Sequence, residues 1–65
     1  MKVIIKYECW TYLADGLTVS AQERCANATE ARTRAKEWQD FGMKAIPYKA
    51  VVNLDAMEIY HVPLK

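Results

Sequence analysis

The sequence predicts an α+β domain of ββαββ order, with an antiparallel sheet in strand order 2-1-3-4 and one helix packed on one face. Three observations predict it. Two runs rich in β-branched and aromatic residues flank Ala14-Asp15-Gly16. Apolar residues then recur at three and four residue spacing between Asn27 and Gly42. Finally, two further strand-like runs flank Asn53-Leu54-Asp55-Ala56.

The first two runs, residues 2–13 and 17–25, read as a β-hairpin. Val3, Ile5, Tyr7, Cys9 and Leu13 alternate along the first, and Leu17, Val19, Ala21 and Cys25 along the second. A three-residue loop, 14–16, places both apolar sets on one face, with Leu13 opposite Leu17, Cys9 opposite Ala21 and Ile5 opposite Cys25. A two-residue turn would put them on opposite faces, because a one-residue slip inverts every side chain. Gly16 is expected to supply the left-handed backbone that such a loop needs.

Asn27 or Thr29 can cap a helix that starts near residue 28. Ala28, Ala31, Ala35, Trp38 and Phe41 form its apolar stripe. Small alanines at its start allow close approach to the sheet, and Trp38 and Phe41 are expected to fill the wider end. Glu30 and Arg34 have the favourable order for an ion pair at i,i+4, and Gly42 is expected to end the helix. Residues 43–52 and 57–62 then form strands three and four. Pro47 has no N–H for a ladder and is expected at an edge, at a bulge or before the true start of the third strand. Pro63 is expected to end pairing by residue 62.

Sixty-five residues make one domain, 1–65, that buries only about 60% of its unfolded surface. Hydrophobic residues are 52% of the chain and charged ones 26%, a globular and not a disordered composition. The formal net charge of +1 offers neither the basic excess of a phosphate-gripping protein nor the acidic excess of a DNA mimic. The apolar run Val3-Ile4-Ile5 is too short for a signal peptide, and no stretch reaches the roughly 20 apolar residues of a membrane span. A cytoplasmic location is expected.

Chemistry-bearing residues are sparse. In the hairpin register above, Cys9 and Cys25 stand about four residues apart along the strands, roughly 13 Å, too far for a disulfide. Two reduced core thiols are expected. One histidine without a Cys-x-x-Cys spacing writes no zinc site, and His61 has no nucleophile near it in sequence, so it reads as a surface or edge histidine. The carboxylates are scattered and the glycines isolated, which leaves no phosphate-cradling loop. No enzymatic activity, cofactor or metal is expected.

Two surfaces remain. With Val3, Ile5, Tyr7 and Cys9 expected under the helix, Ile4, Trp10 and Tyr12 point away from it, as must some of Ile46, Tyr48, Tyr60 and Val62. Clustered exposed aromatics mark a contact surface, here Trp10, Tyr12, Tyr48 and Tyr60. The alternative is a nucleic-acid surface using Arg24, Arg32, Lys36 and Lys44, with Arg34 and Lys49 near them in sequence. A homodimer that buries the open face or an edge strand is also compatible with so thin a core.

The order hairpin, then a helix carrying Thr29, Glu30, Ala31 and Ala35, then Trp38 and a strand after Gly42, resembles small bacteriophage proteins of ββαβ fold, inhibitors of host RNA polymerase among them. The resemblance covers roughly residues 3–50. It implies a compact, non-enzymatic protein that blocks or modulates a larger host or bacterial protein. No interaction residue of that family has a counterpart here, so no site is carried over.

Overall fold

The structure is a computed structural model that describes residues 2–64. Met1 and Lys65, the ends of the expected 1–65 domain, lie outside the described residues. The elements are β1 (Val3–Tyr12), β2 (Val19–Cys25), α1 (Ala28–Asp40), β3 (Ala45–Asn53) and β4 (Glu58–Pro63). They form one antiparallel sheet in the order β2-β1-β3-β4 with α1 on one face. The sequence predicts this α+β architecture and strand order. Among the described residues no helix is long and apolar enough to cross a membrane.

The hairpin loop is wider than expected. Leu13 donates its N–H to the Thr18 carbonyl at 2.8 Å, and the Asp15 carboxylate accepts from Leu17 N, Thr18 N and the Thr18 hydroxyl. Gly16, at φ 72°, takes the expected left-handed backbone. The register breaks between Thr11 and Tyr12, which face Ala21 and Val19 and leave Ser20 as a bulge. Beyond it Cys9 faces Glu23 and Tyr7 faces Cys25, two residues from the expected pairing. Parity survives, so Cys9, Ala21 and Cys25 still share a face, but Leu13 and Leu17 are exposed and unpaired with each other.

Asn27 caps α1, its side chain accepting the Glu30 N–H at 2.8 Å. At the other end Gly42 N–H bonds the Gln39 carbonyl and Met43 N–H the Trp38 carbonyl, with Gly42 at φ 86°. That pair of bonds is the Schellman ending. Ala31 and Ala35 are buried against Cys9, Cys25 and Ala45, with Tyr7, Trp38 and Leu64 around them. Phe41 does not fill the wide end. It is the C-cap residue, 82% exposed, with its ring centroid 6.2 Å from that of Trp38. Arg34 reaches to Glu23 of β2 at 2.8 Å, and Trp38 Nε1 donates to the same carboxylate at 2.6 Å. Glu23 therefore fastens the helix across the hairpin, a long-range tie where sequence spacing points to Glu30.

Helix α1 covers the Tyr7, Cys9 and Thr11 end of β1 and not, as expected, Val3 and Ile5, which are 43% and 44% exposed. A thirteen-residue helix is about 20 Å long, half of the molecule's 41 Å long axis. The starts of β1 and β4 and the end of β3 thus form a bare wing of the sheet.

Pro47 lies inside β3, a central strand, opposite Cys9. Its ring nitrogen faces the β4 flank, where Leu64 N–H bonds the Pro47 carbonyl at 2.9 Å. That flank is the end of β4, so the missing donor interrupts no ladder. Pairing also runs one residue further than expected, with Pro63 opposite Tyr48.

Two expectations follow. Met57 is the one non-glycine residue of positive φ among the described residues (56°), on the β3–β4 turn. A left-handed backbone costs a side-chain-bearing residue about 1–2 kcal/mol, so Met57→Gly should raise stability by about 0.5–1 kcal/mol, read as a higher urea midpoint. The hydrogen bonds from Thr18 and Leu17 hold the Asp15 carboxyl at about 2, below its ordinary 3.8. A depressed folded value contributes stability above the unfolded one and loses it as pH falls. Asp15→Asn should therefore flatten the decline in stability between pH 3.8 and about 2, measured by denaturation at stepped pH.

Candidate functional site: the open face of the sheet

Strand parity decides what the helix-free face carries. Odd residues of β1 and β3 face the helix, so Glu8, Trp10, Tyr12, Ile46 and Tyr48 face away. On β4 the parity is inverted, since Ala50 pairs with His61 and Val51 with Tyr60. His61 therefore joins the aromatics, while Tyr60 and Val62 lie on the opposite face, on the wing. Of the expected contact residues Trp10, Tyr12, Tyr48 and Tyr60, the fold gathers the first three and replaces the fourth by its neighbour.

The gathered rings touch. Trp10 lies 4.9 Å from both Tyr48 and His61 between centroids, at interplanar angles of 56° and 59°. Tyr48 meets His61 edge-on at 6.1 Å. Tilted arrangements of this kind are the favourable ones for rings with negative faces and positive edges. Glu8 ties the group together: its Oε1 accepts from Trp10 Nε1 at 2.9 Å and lies 3.3 Å from His61 Nε2. One carboxylate on β1 thus orients the indole beside it and the imidazole two strands away.

Tyr12 extends the cluster towards the loops. Its hydroxyl and that of Tyr48 share a hydrogen bond of 3.1 Å, which, with some desolvation, pushes the Tyr12 phenol up to about 12. Lys44 Nζ sits 5.0 Å over the Tyr12 ring and donates to the Gly16 carbonyl at 2.8 Å. This lysine is committed to pinning the β1–β2 loop against the start of β3.

The cations considered for nucleic acid are dispersed. Arg24 is opposite Glu8 on the open-face side of β2, Arg32 and Lys36 are exposed on the helix, and Lys44 is held at the loops. Among the described residues no three His, Cys, Asp or Glu side chains are grouped to hold a metal.

The cysteines lie closer than the expected register gave, because Cys25 faces Tyr7, two residues from Cys9. Both are buried free thiols. Burial, then the neighbouring Cys25, raises the Cys9 thiol to about 11; burial, then Glu30, raises Cys25. The thiolate is the reactive form. Both cysteines should thus resist iodoacetamide at neutral pH in the folded protein and alkylate together on unfolding in urea, as counted by mass spectrometry. Comparison with protein-family models, with curated proteins and with solved structures finds no match to this chain.

Proposed function

We propose that this protein is a small non-enzymatic binding module that occludes a surface of a larger protein through the open face of its sheet. The observation that carries this reading is the joined Trp10–Tyr48–His61 cluster, oriented by Glu8 on the face opposite the helix. Aromatic side chains held rigid by their neighbours lose little entropy on contact and dominate binding energy where they occur. The cluster has a hydrogen-bonding rim in Glu8, Tyr12 and the Tyr48 hydroxyl, so it fits a partner that offers both apolar groups and donors. A phage protein that modulates a host or defence protein is one setting for such a module, in line with the resemblance of its hairpin and helix.

Nucleic acid has less in its favour. Arg32 and Lys36 lie on the helix and Arg24 on the opposite side of the sheet, so no single phosphate track joins them, and Glu8 sits among the rings.

The test compares capture by the native chain, by Trp10→Ala, by Tyr48→Ala and by Phe41→Ala, whose exposed ring lies off this face. A partner lost with Trp10→Ala and Tyr48→Ala but retained with Phe41→Ala is the expected result, with each loss amounting to about thirty-fold or more in affinity. Equal recovery by all four folded proteins would remove the open face as the contact surface. Retention on DNA or RNA that falls steeply with salt would instead establish the cationic alternative.

A further inference from the structure

We infer that β4 is a pairing edge for a second copy of this chain, joining two sheets about a two-fold axis at Tyr60. The inference is independent of the partner proposed above.

Among the described residues, β2, the start of β1 and β4 each offer an unpaired edge long enough to pair with another strand. Exposed edges invite pairing unless charge, proline or a bulge blunts them. On β2 the bulge at Ser20 and the exposed Arg24 do so. On β1 the stretch Val3–Lys6 runs beyond the end of β2, and pairing it with itself in the register that sets Val3 opposite Ile5 would bring Lys2 against Lys6 of the copy. Like charges directly opposite are unfavourable. Strand β4 has such guards only at its ends, Glu58 and Pro63; the strand is exposed throughout and carries Ile59, Tyr60 and Val62 between them.

Its hydrogen-bond geometry favours one register. Leu64 N–H bonds the Pro47 carbonyl, so by alternation Val62 and Tyr60 turn their backbone groups towards β3, and Ile59, His61 and Pro63 turn theirs outward. A two-fold axis normal to the sheet pairs antiparallel strands and keeps their faces aligned. Centred on Tyr60, it pairs Ile59 with His61 of the copy, and each such pair exchanges both backbone bonds. Centred on His61, it would pair Ile59 with Pro63, which has no N–H. Centred on Ile59, it would pair His61 with Met57, whose φ of 56° leaves the extended conformation. The Tyr60 register alone gives two complete pairs of extended residues, Ile59 with His61 and His61 with Ile59, and Met57 and Pro63 fall opposite each other only beyond them. It places the two Tyr60 rings together on the bare wing, a favourable cross-strand aromatic pair.

Sedimentation equilibrium from micromolar to millimolar protein tests this, with Tyr60→Glu and Ile59→Pro as variants. Tyr60 is 52% exposed, so its replacement leaves the protomer intact while setting two carboxylates opposite each other. Proline at Ile59 removes an outward N–H that β3 does not use. The expected result is a native mass rising from 7.5 kDa towards twice that value, with both variants weakened at least about ten-fold in association and unchanged in far-ultraviolet circular dichroism. Amide exchange on the native protein supplies a reading free of any variant: the Ile59 and His61 amides should slow as concentration rises. A constant 7.5 kDa mass, a dimer indifferent to both substitutions, or exchange at those amides that ignores concentration would overturn the inference.

Discussion

Ala31 and Ala35 approach Cys9, Cys25 and Ala45 so closely that, among the described residues, no side chain larger than a cysteine is wholly enclosed between helix and sheet. The rest of the molecule follows from this narrow seam. Burial contributes in proportion to apolar area, and alanines and cysteines supply little of it. The large apolar residues, for which the seam has no room, are distributed along its margins, over the open face and onto the wing. The Glu23 carboxylate compensates in part, since it receives both Arg34 and the Trp38 indole and so holds the helix across the hairpin by polar bonds where packing is thin.

The open face solves the same shortage in another way. Trp10, Tyr48 and His61 pack on one another and on Glu8, giving the sheet a second, shallower cluster with no layer above it. Half-burial lets the rings stabilise the fold while still presenting surface to a partner. The loop end is tied to this cluster through Lys44, which spans the Tyr12 ring and the Gly16 carbonyl, so the loop geometry and the position of Tyr12 are coupled.

Much of this architecture is legible in the residues. Asn27 and Gly42 carry their own capping chemistry, so the ends of the helix need no tertiary knowledge. The shared face of Cys9, Ala21 and Cys25 follows from alternation. The register does not, because a shift of two residues preserves parity: Cys25 opposite Ile5 and Cys25 opposite Tyr7 are equally consistent with the pattern. What decides between them is the loop, where Asp15 gathers Leu17 and Thr18 and the bulge at Ser20 takes up the odd residue. Tyr60 and His61 show the other limit. Strand four has apolar residues at 57, 59, 60 and 62, which fit neither parity cleanly, so only the pairing with β3 shows which of two neighbours reaches the aromatic cluster. Phe41 illustrates a third: the helical period carries on through the C-cap, but the backbone there has already left the helix.

The bare wing and the aromatic face meet at β4, and their relation bears on how the module could act. A two-fold axis normal to the sheet leaves the open faces of two copies on the same side. In the proposed dimer Ile59 of one protomer then lies beside His61 of the other, so each aromatic cluster is extended by an apolar residue from its twin. The two clusters would form one continuous strip across the joined sheets. A partner with two matching sites, or one long surface, would engage both at once, and the second contact would form at the high effective concentration set by the rigid sheet. Pairing at β4 and binding on the open face would in that case reinforce each other without any change of shape in the protomer.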